Sequence, residues 1–145
     1  MKAKTIHPVI KTLLALLLIL AALTADSNLR LVTDEYTAAS ARLPADFDGF
    51  RIVQLSDLHG AVFGKDNSWL IEAVAAAQPD IIAITGDMVD ERTDLSVIDS
   101  LLAALTELAP VYYVSGNHEW AAGRIGEIAA LLEKRGVTYL RNDYI

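Results

Sequence analysis

The sequence predicts an α/β fold, a layered βαβ arrangement around a mostly parallel sheet, preceded by an N-terminal hydrophobic helix. Three observations carry that expectation. Short apolar runs alternate with helical stripes through the second two-thirds of the chain. Those runs are continuous rather than alternating, which suits strands covered on both faces and places helices on both sides of the sheet. And 53% of the 145 residues are hydrophobic, enough to bury a core and too many for a disordered chain.

The first domain element is "NLRLVTDEYTAAS" (residues 28–40), which reads as a strand from its Val, Thr and Tyr content. A turn-rich connector with Pro44 and Gly49 follows, then a β-type run from Phe50 to Ser56. Leu70, Val74 and Ala77 recur at helical spacing, with Ser68 as N-cap and Pro79 ending the segment. Leu95, Ile98, Leu102 and Leu105 form a second stripe behind the capping residues Thr93 and Asp94. Ile125, Ile128 and Leu132 form a third, closed by Gly136. Between and after them lie "DIIAIT" (80–85), "VYYVS" (111–115) and "GVTYL" (136–140), each expected as a strand. The resulting order is β-α-β-α-β-α-β, without internal repeats.

Residues 1–28 read as a signal anchor or signal peptide. Lys2, Lys4 and Lys11 precede or open an apolar run from Leu13 to Leu23, and every acidic residue lies after residue 25. The uncharged window Thr12–Ala25 falls short of the ~20 residues that span a bilayer, unless it extends back past a snorkelling Lys11. The expectation is an uncleaved anchor at the cell membrane, lysines cytoplasmic and the domain on the outer face; cleavage would make the protein secreted. His7 has no partner in this stretch and reads as nonfunctional.

Composition narrows the chemistry. The absence of cysteine excludes disulfides, thiolate zinc sites and a cysteine nucleophile. A formal charge of −7, concentrated in the domain, argues against a nucleic-acid partner and is compatible with cation binding.

Three strand ends carry unusual polar clusters. "VQLSDLHG" ends in Asp57 and His59, "IAITGDMVD" in Gly86, Asp87 and Asp90, and "YYVSGNHE" in Gly116, Asn117, His118 and Glu119. Each has an ordinary reading alone: a turn cap, a surface histidine, a Gly-Asp turn. In a parallel sheet, however, all strand carboxyl ends share one edge, where ligands bind. Both histidines of the domain sit there, beside Asp and Asn, and the glycines let the backbone approach a ligand. Oxygen and imidazole donors without sulfur suit Mn, Fe or Zn, with Mg a poorer match. Asp87, on the middle strand, is placed to bridge two cations, an arrangement that clamps a phosphoryl group and acidifies a bound water. The chemistry indicated is hydrolysis of a phosphate ester.

"SDLHG", "TGDMVD" and "GNHE" resemble the first three signature blocks of the calcineurin-like metallophosphoesterases, in that family's order and spacing. With the N-terminal segment, "LPADFDGFRIVQLSDLHG" is most similar to a membrane-associated bacterial branch, which includes phosphodiesterases and UDP-2,3-diacylglucosamine hydrolases. The resemblance implies two divalent metal ions and a phosphate-ester substrate, small-molecule or lipid-linked. It implies that Asp57 and His59 hold the first metal, that Asp87 bridges both, and that Asn117 ligates the second. It places His118 on the phosphate side as the catalytic group, stabilising the transition state or protonating the leaving group. Asp90 and Glu119, with Gly86 and Gly116, match positions that support the site rather than perform chemistry.

The family also carries metal histidines in its second half, including a Gly-His-x-His block, and no histidine follows His118. The resemblance therefore covers residues 29–145 as the N-terminal half of the domain. It implies a fragment whose first metal lacks one histidine and whose second lacks two, with one sheet face left bare. The competing readings are a noncatalytic scaffold with this fold and an inactive truncated fragment. Retention of Asp57, His59, Asp87, Asn117 and His118 favours the enzyme lineage. A response-regulator or nucleotide-binding domain is set aside, because no glycine-rich phosphate loop follows the first strand and His59 has no place there.

Overall fold

The computed structural model describes residues 7–142. The chain divides into two compact units, residues 1–32 and 33–145.

In the first unit, α1 (Pro8–Leu29) begins with a proline at its first turn, where the missing N–H costs nothing. The described side chains of α1 are exposed. Among the described residues no helix is long and apolar enough to cross a membrane. The physical reason is length: between Lys11 and Asp26 the charge-free helix spans only about 21 Å at 1.5 Å per residue, against a hydrocarbon core of about 30 Å. The expected location at the cell membrane with the domain on the outer face is therefore not supported. Lys2 and Lys4, read as the basic start of that segment, lie outside the described residues.

The second unit holds a four-stranded parallel sheet in the order β1 (Ile52–Leu55), β2 (Ile81–Ile84), β3 (Val111–Tyr113) and β4 (Thr138–Tyr139). Ile52 pairs with Ile81, Ile82 with Val111, and Tyr112 with Thr138. The crossovers run through α2 (Ser68–Ala77), α3 (Leu95–Thr106) and the pair α4 (Asn117–Ala121) and α5 (Ile125–Lys134). Right-handed crossovers in a sheet that grows in one direction put the connecting helices on a single face. In agreement, α2 packs on α3 and α3 on α5. Burial alternates along the strands: Leu55, Ile82, Ile84, Val111 and Tyr113 are buried with Leu70, Val74, Ile98, Leu102, Leu105, Ile128 and Leu132. Ile52, on the opposite face, is 60% exposed. The expectation of helices on both sides is thus corrected. Continuous apolar strands are apolar on both faces here, yet only one face is covered.

The three helical stripes fold as read, with refinements at their ends. Asp94 caps α3 by accepting the Ser96 N–H at 2.9 Å, and that bond, with the Ser96 hydroxyl, holds its carboxyl below the usual range. Ser68 is the first residue of α2 rather than its cap, and Asn67 precedes it in a left-handed conformation. The strand expected over residues 28–40 does not form. Residues 28–29 belong to α1, residues 30–40 have no regular structure, and Tyr36 is 91% exposed. β-branched content favours a strand only where an edge is available to pair with it.

Candidate metal centre

Each of the first three strands runs straight into one of the polar clusters, so the parallel register brings them to one edge. The turns are stitched through the main chain. The Asp57 N–H donates to the Gly86 carbonyl at 3.1 Å, His59 N–H to the Asp87 carbonyl at 2.9 Å, and Gly60 N–H to the Met88 carbonyl at 2.8 Å. These contacts hold Asp57, His59 and Asp87 in left-handed backbone conformations, with φ of 57°, 46° and 54°. Such conformations cost energy in non-glycine residues and cluster where surrounding structure imposes them for function.

The result is one cluster in which ligand atoms of His59, Asp87 and His118 all lie within 4.8 Å of one another. The His59 and His118 rings meet edge to face at 4.4 Å. One Asp87 carboxylate oxygen accepts the His118 backbone N–H at 2.9 Å, so Asp87 also ties its turn to the next. Asp57 is exposed and stands beside the cluster, its Oδ1 3.9 Å from His59 Nε2. Asn117 is the exposed first residue of α4, directly before His118. His118, expected on the phosphate side, shares the space of the donor atoms.

Asp90 is not one of these three donors. Its Oδ1 accepts the Arg92 N–H at 2.8 Å and the Thr93 hydroxyl at 2.9 Å, closing the turn that leads to α3. Those bonds, Arg92 foremost, hold its carboxyl below the usual range. Gly86 and Gly116 are required by space. A Cβ on Gly86 would fall on the Gly116 backbone, and one on Gly116 would run into the Asp87 carboxylate.

Glu119 has the most unusual surroundings. It is 0% exposed. Its Oε1 accepts N–H bonds from Met88 (2.7 Å) and Val89 (3.2 Å) and the Tyr113 hydroxyl (3.0 Å). Its Oε2 accepts the N–H groups of Asp87 (3.0 Å) and Gly116 (2.8 Å). Burial works against this carboxylate, but the N–H groups of Asp87, Gly116 and Val89 and the Tyr113 hydroxyl outweigh it and hold its pKa down. Burial and the adjacent carboxylate push the Tyr113 hydroxyl well up. Sequence reasoning missed Tyr113 and the extent of Glu119's bonding. The available signal was an acid three residues past a glycine, in the third position of a short helix where it can reach back to the N-cap.

A parallel sheet whose strand ends gather imidazole and carboxylate donors within 4.8 Å offers a candidate site for a metal ion, and the comparisons supply the family. Residues 50–144 match the family model of the calcineurin-like phosphoesterases, and the chain belongs to that family. It is 30% identical over 117 residues to YkuE, an uncharacterized metallophosphoesterase of Bacillus subtilis, covering 77% of this chain and 41% of that protein. A transmembrane protein with a metallophosphoesterase domain from Bos taurus is 32% identical over 109 residues, or 72% of this chain and 24% of its own. An uncharacterized metallophosphoesterase of Helicobacter pylori is 33% identical over 100 residues, with 66% and 26% covered. The chain spans less than half the length of each of these relatives.

Proposed function

We propose that this chain carries the early half of a dimetal phosphodiesterase site, the metal ligands being Asp57, His59, Asp87 and Asn117. The observation that supports it best is the convergence of His59, Asp87 and His118 within 4.8 Å from three separate strand ends. Two carboxylates, a carboxamide and an imidazole fit Mn, Fe or Zn, and the absence of sulfur donors fits the same group. When bound, such cations polarise a phosphoryl oxygen and lower the pKa of water enough to make a nucleophile near neutral pH.

The chain's own residues divide the remaining work. Asp57, His59 and Asp87 hold the first cation, and Asp87 with Asn117 the second. His118 faces the same space and donates a proton to the leaving oxygen, while edge contact with His59 restrains its ring. Beside the β3–α4 turn lies an open groove of roughly 580 Å³ that includes Ser115, Trp120, Tyr139 and Arg141. Ser115 Oγ fixes both aromatics, accepting the Trp120 indole N–H and the Tyr139 hydroxyl at 3.1 Å each. Arg141 lies over the Tyr139 ring, so the exposed Trp120 ring is the surface open to an organic substituent, which favours a diester over a monoester. A lipid-linked substrate rested on membrane placement and is not proposed.

The test is hydrolysis of bis(p-nitrophenyl) phosphate with added manganese. Asp87→Ala is expected to lower the rate by about 100-fold or more, given the several kcal/mol such cations contribute to the transition state. Equal rates for the two proteins would contradict the proposal and favour a scaffold.

A further inference from the structure

We infer that Tyr113 and Glu119 form a buried positioning pair that sets the separation of the Asp87 and Gly116–His118 turns and thereby the affinity for a divalent cation. This rests on the reading that Asp57, His59, Asp87 and Asn117 hold such a cation.

The geometry runs in both directions between the two turns. From Glu119 at the start of α4, one carboxylate takes three consecutive N–H groups of the β2 turn, Asp87, Met88 and Val89. The same carboxylate takes the Gly116 N–H of its own turn and the Tyr113 hydroxyl from β3. In return, Asp87 accepts the His118 N–H. The β2 turn is thus gripped by Glu119 while its own aspartate grips the β3 turn. The two glycines at the crossing permit the approach, since side chains there would collide.

The chemistry of Glu119 is specific. Five donors converge on two oxygens, so every contact needs an acceptor. A glutamine of the same shape would present an amide N–H₂ to some of those N–H groups. Among the described residues no lysine or arginine forms an ion pair with Glu119, so its charge is met by backbone dipoles and the Tyr113 hydroxyl alone. Tyr113 is itself fixed, buried at 1% exposure and packed edge to face on Tyr139 at 5.8 Å. Neither residue faces substrate. Both act through Asp87 and the main chain around it, as groups that orient metal ligands do.

The experiment is a Mn²⁺ titration of the full chain followed by electron paramagnetic resonance, with a thermal melt of each protein. Glu119→Gln is expected to weaken Mn²⁺ binding about 10- to 100-fold, the range for groups that orient metal ligands. Tyr113→Phe removes one hydroxyl and keeps the ring, so it folds and is expected to weaken binding about fivefold with an altered spectrum of bound manganese. Asp99→Asn, in an ion pair outside the site, lowers the melting temperature and leaves binding and spectrum unchanged. The inference is overturned if Tyr113→Phe, and any folded Glu119→Gln, bind Mn²⁺ like wild type while only the melting temperature falls. If Glu119→Gln does not fold, Tyr113→Phe decides. Absence of Mn²⁺ binding by the wild type would instead overturn the cation reading, and this inference with it.

Discussion

The corner where β2 meets β3 and the corner at the end of β1 supply the same kind of ligand but are built differently. Asp87 and His118 stand over a buried carboxylate that receives five donors, with two glycines allowing backbone to touch backbone. Asp57 and His59 are exposed and are positioned by two main-chain hydrogen bonds to the β2 turn. The difference lies in what stands behind the side chains: a buried carboxylate ties the Asp87 and His118 turns together, whereas the Asp57 and His59 turn is held by its main chain alone, although His59 already packs on His118.

That contrast is breakable. The largest effect is expected from Gly116→Ala, because its methyl group must displace the Asp87 carboxylate. Overpacking there should cost about 1–3 kcal/mol of stability in denaturant unfolding and lower Mn²⁺ affinity at least as much as Glu119→Gln. A melt and titration matching wild type would mean the two turns are not in fixed contact. A smaller effect is expected from Asp57→Ala on the exposed side: about a tenfold loss of affinity, measured by calorimetry, with little change in stability. A loss larger than that of Asp87→Ala would reverse the ranking of the two corners.

The smallest effect concerns a part of the molecule that both corners ignore. Asp99 accepts hydrogen bonds from the Arg135 Nε and the Lys134 ammonium, which hold its carboxyl far below the usual range. A depressed carboxyl stabilises the fold fully above its unfolded pKa, near 4, and that contribution is lost as the pH falls through the folded value. The melting temperature of Asp99→Asn should therefore lie a few degrees below wild type at pH 7, with the gap closing as the pH drops below about 4. A gap independent of pH would show that the pair is not the source of the difference.

The regular elements were legible because periodicity and burial coincide in them: Ile98, Leu102 and Leu105 repeat at helical spacing and are buried. The three polar corners were legible from chain order, since parallel strands bring their carboxyl ends to one edge. The one-sided covering of the sheet was not legible in periodicity, because Ile52 and Ile81 are as apolar as Ile82; the family resemblance alone implied a bare face. The short helix α4 escaped notice, as five residues are too few to show a period. Glu119 was read as a supporting residue, and nothing local reveals that four of its donors come from backbone N–H groups, three of them about thirty positions earlier. The false strand over residues 28–40 shows the converse limit: composition alone does not supply a neighbour.

The central claim is that three strand ends make one cation site through Asp87. Its most direct test is a calorimetric titration of the intact chain with Mn²⁺, wild type beside Asp87→Asn. The account predicts saturable binding by the wild type and a loss of about 100-fold or more in the variant, whose carboxamide is a weaker ligand. Equal binding isotherms for the two proteins would contradict it.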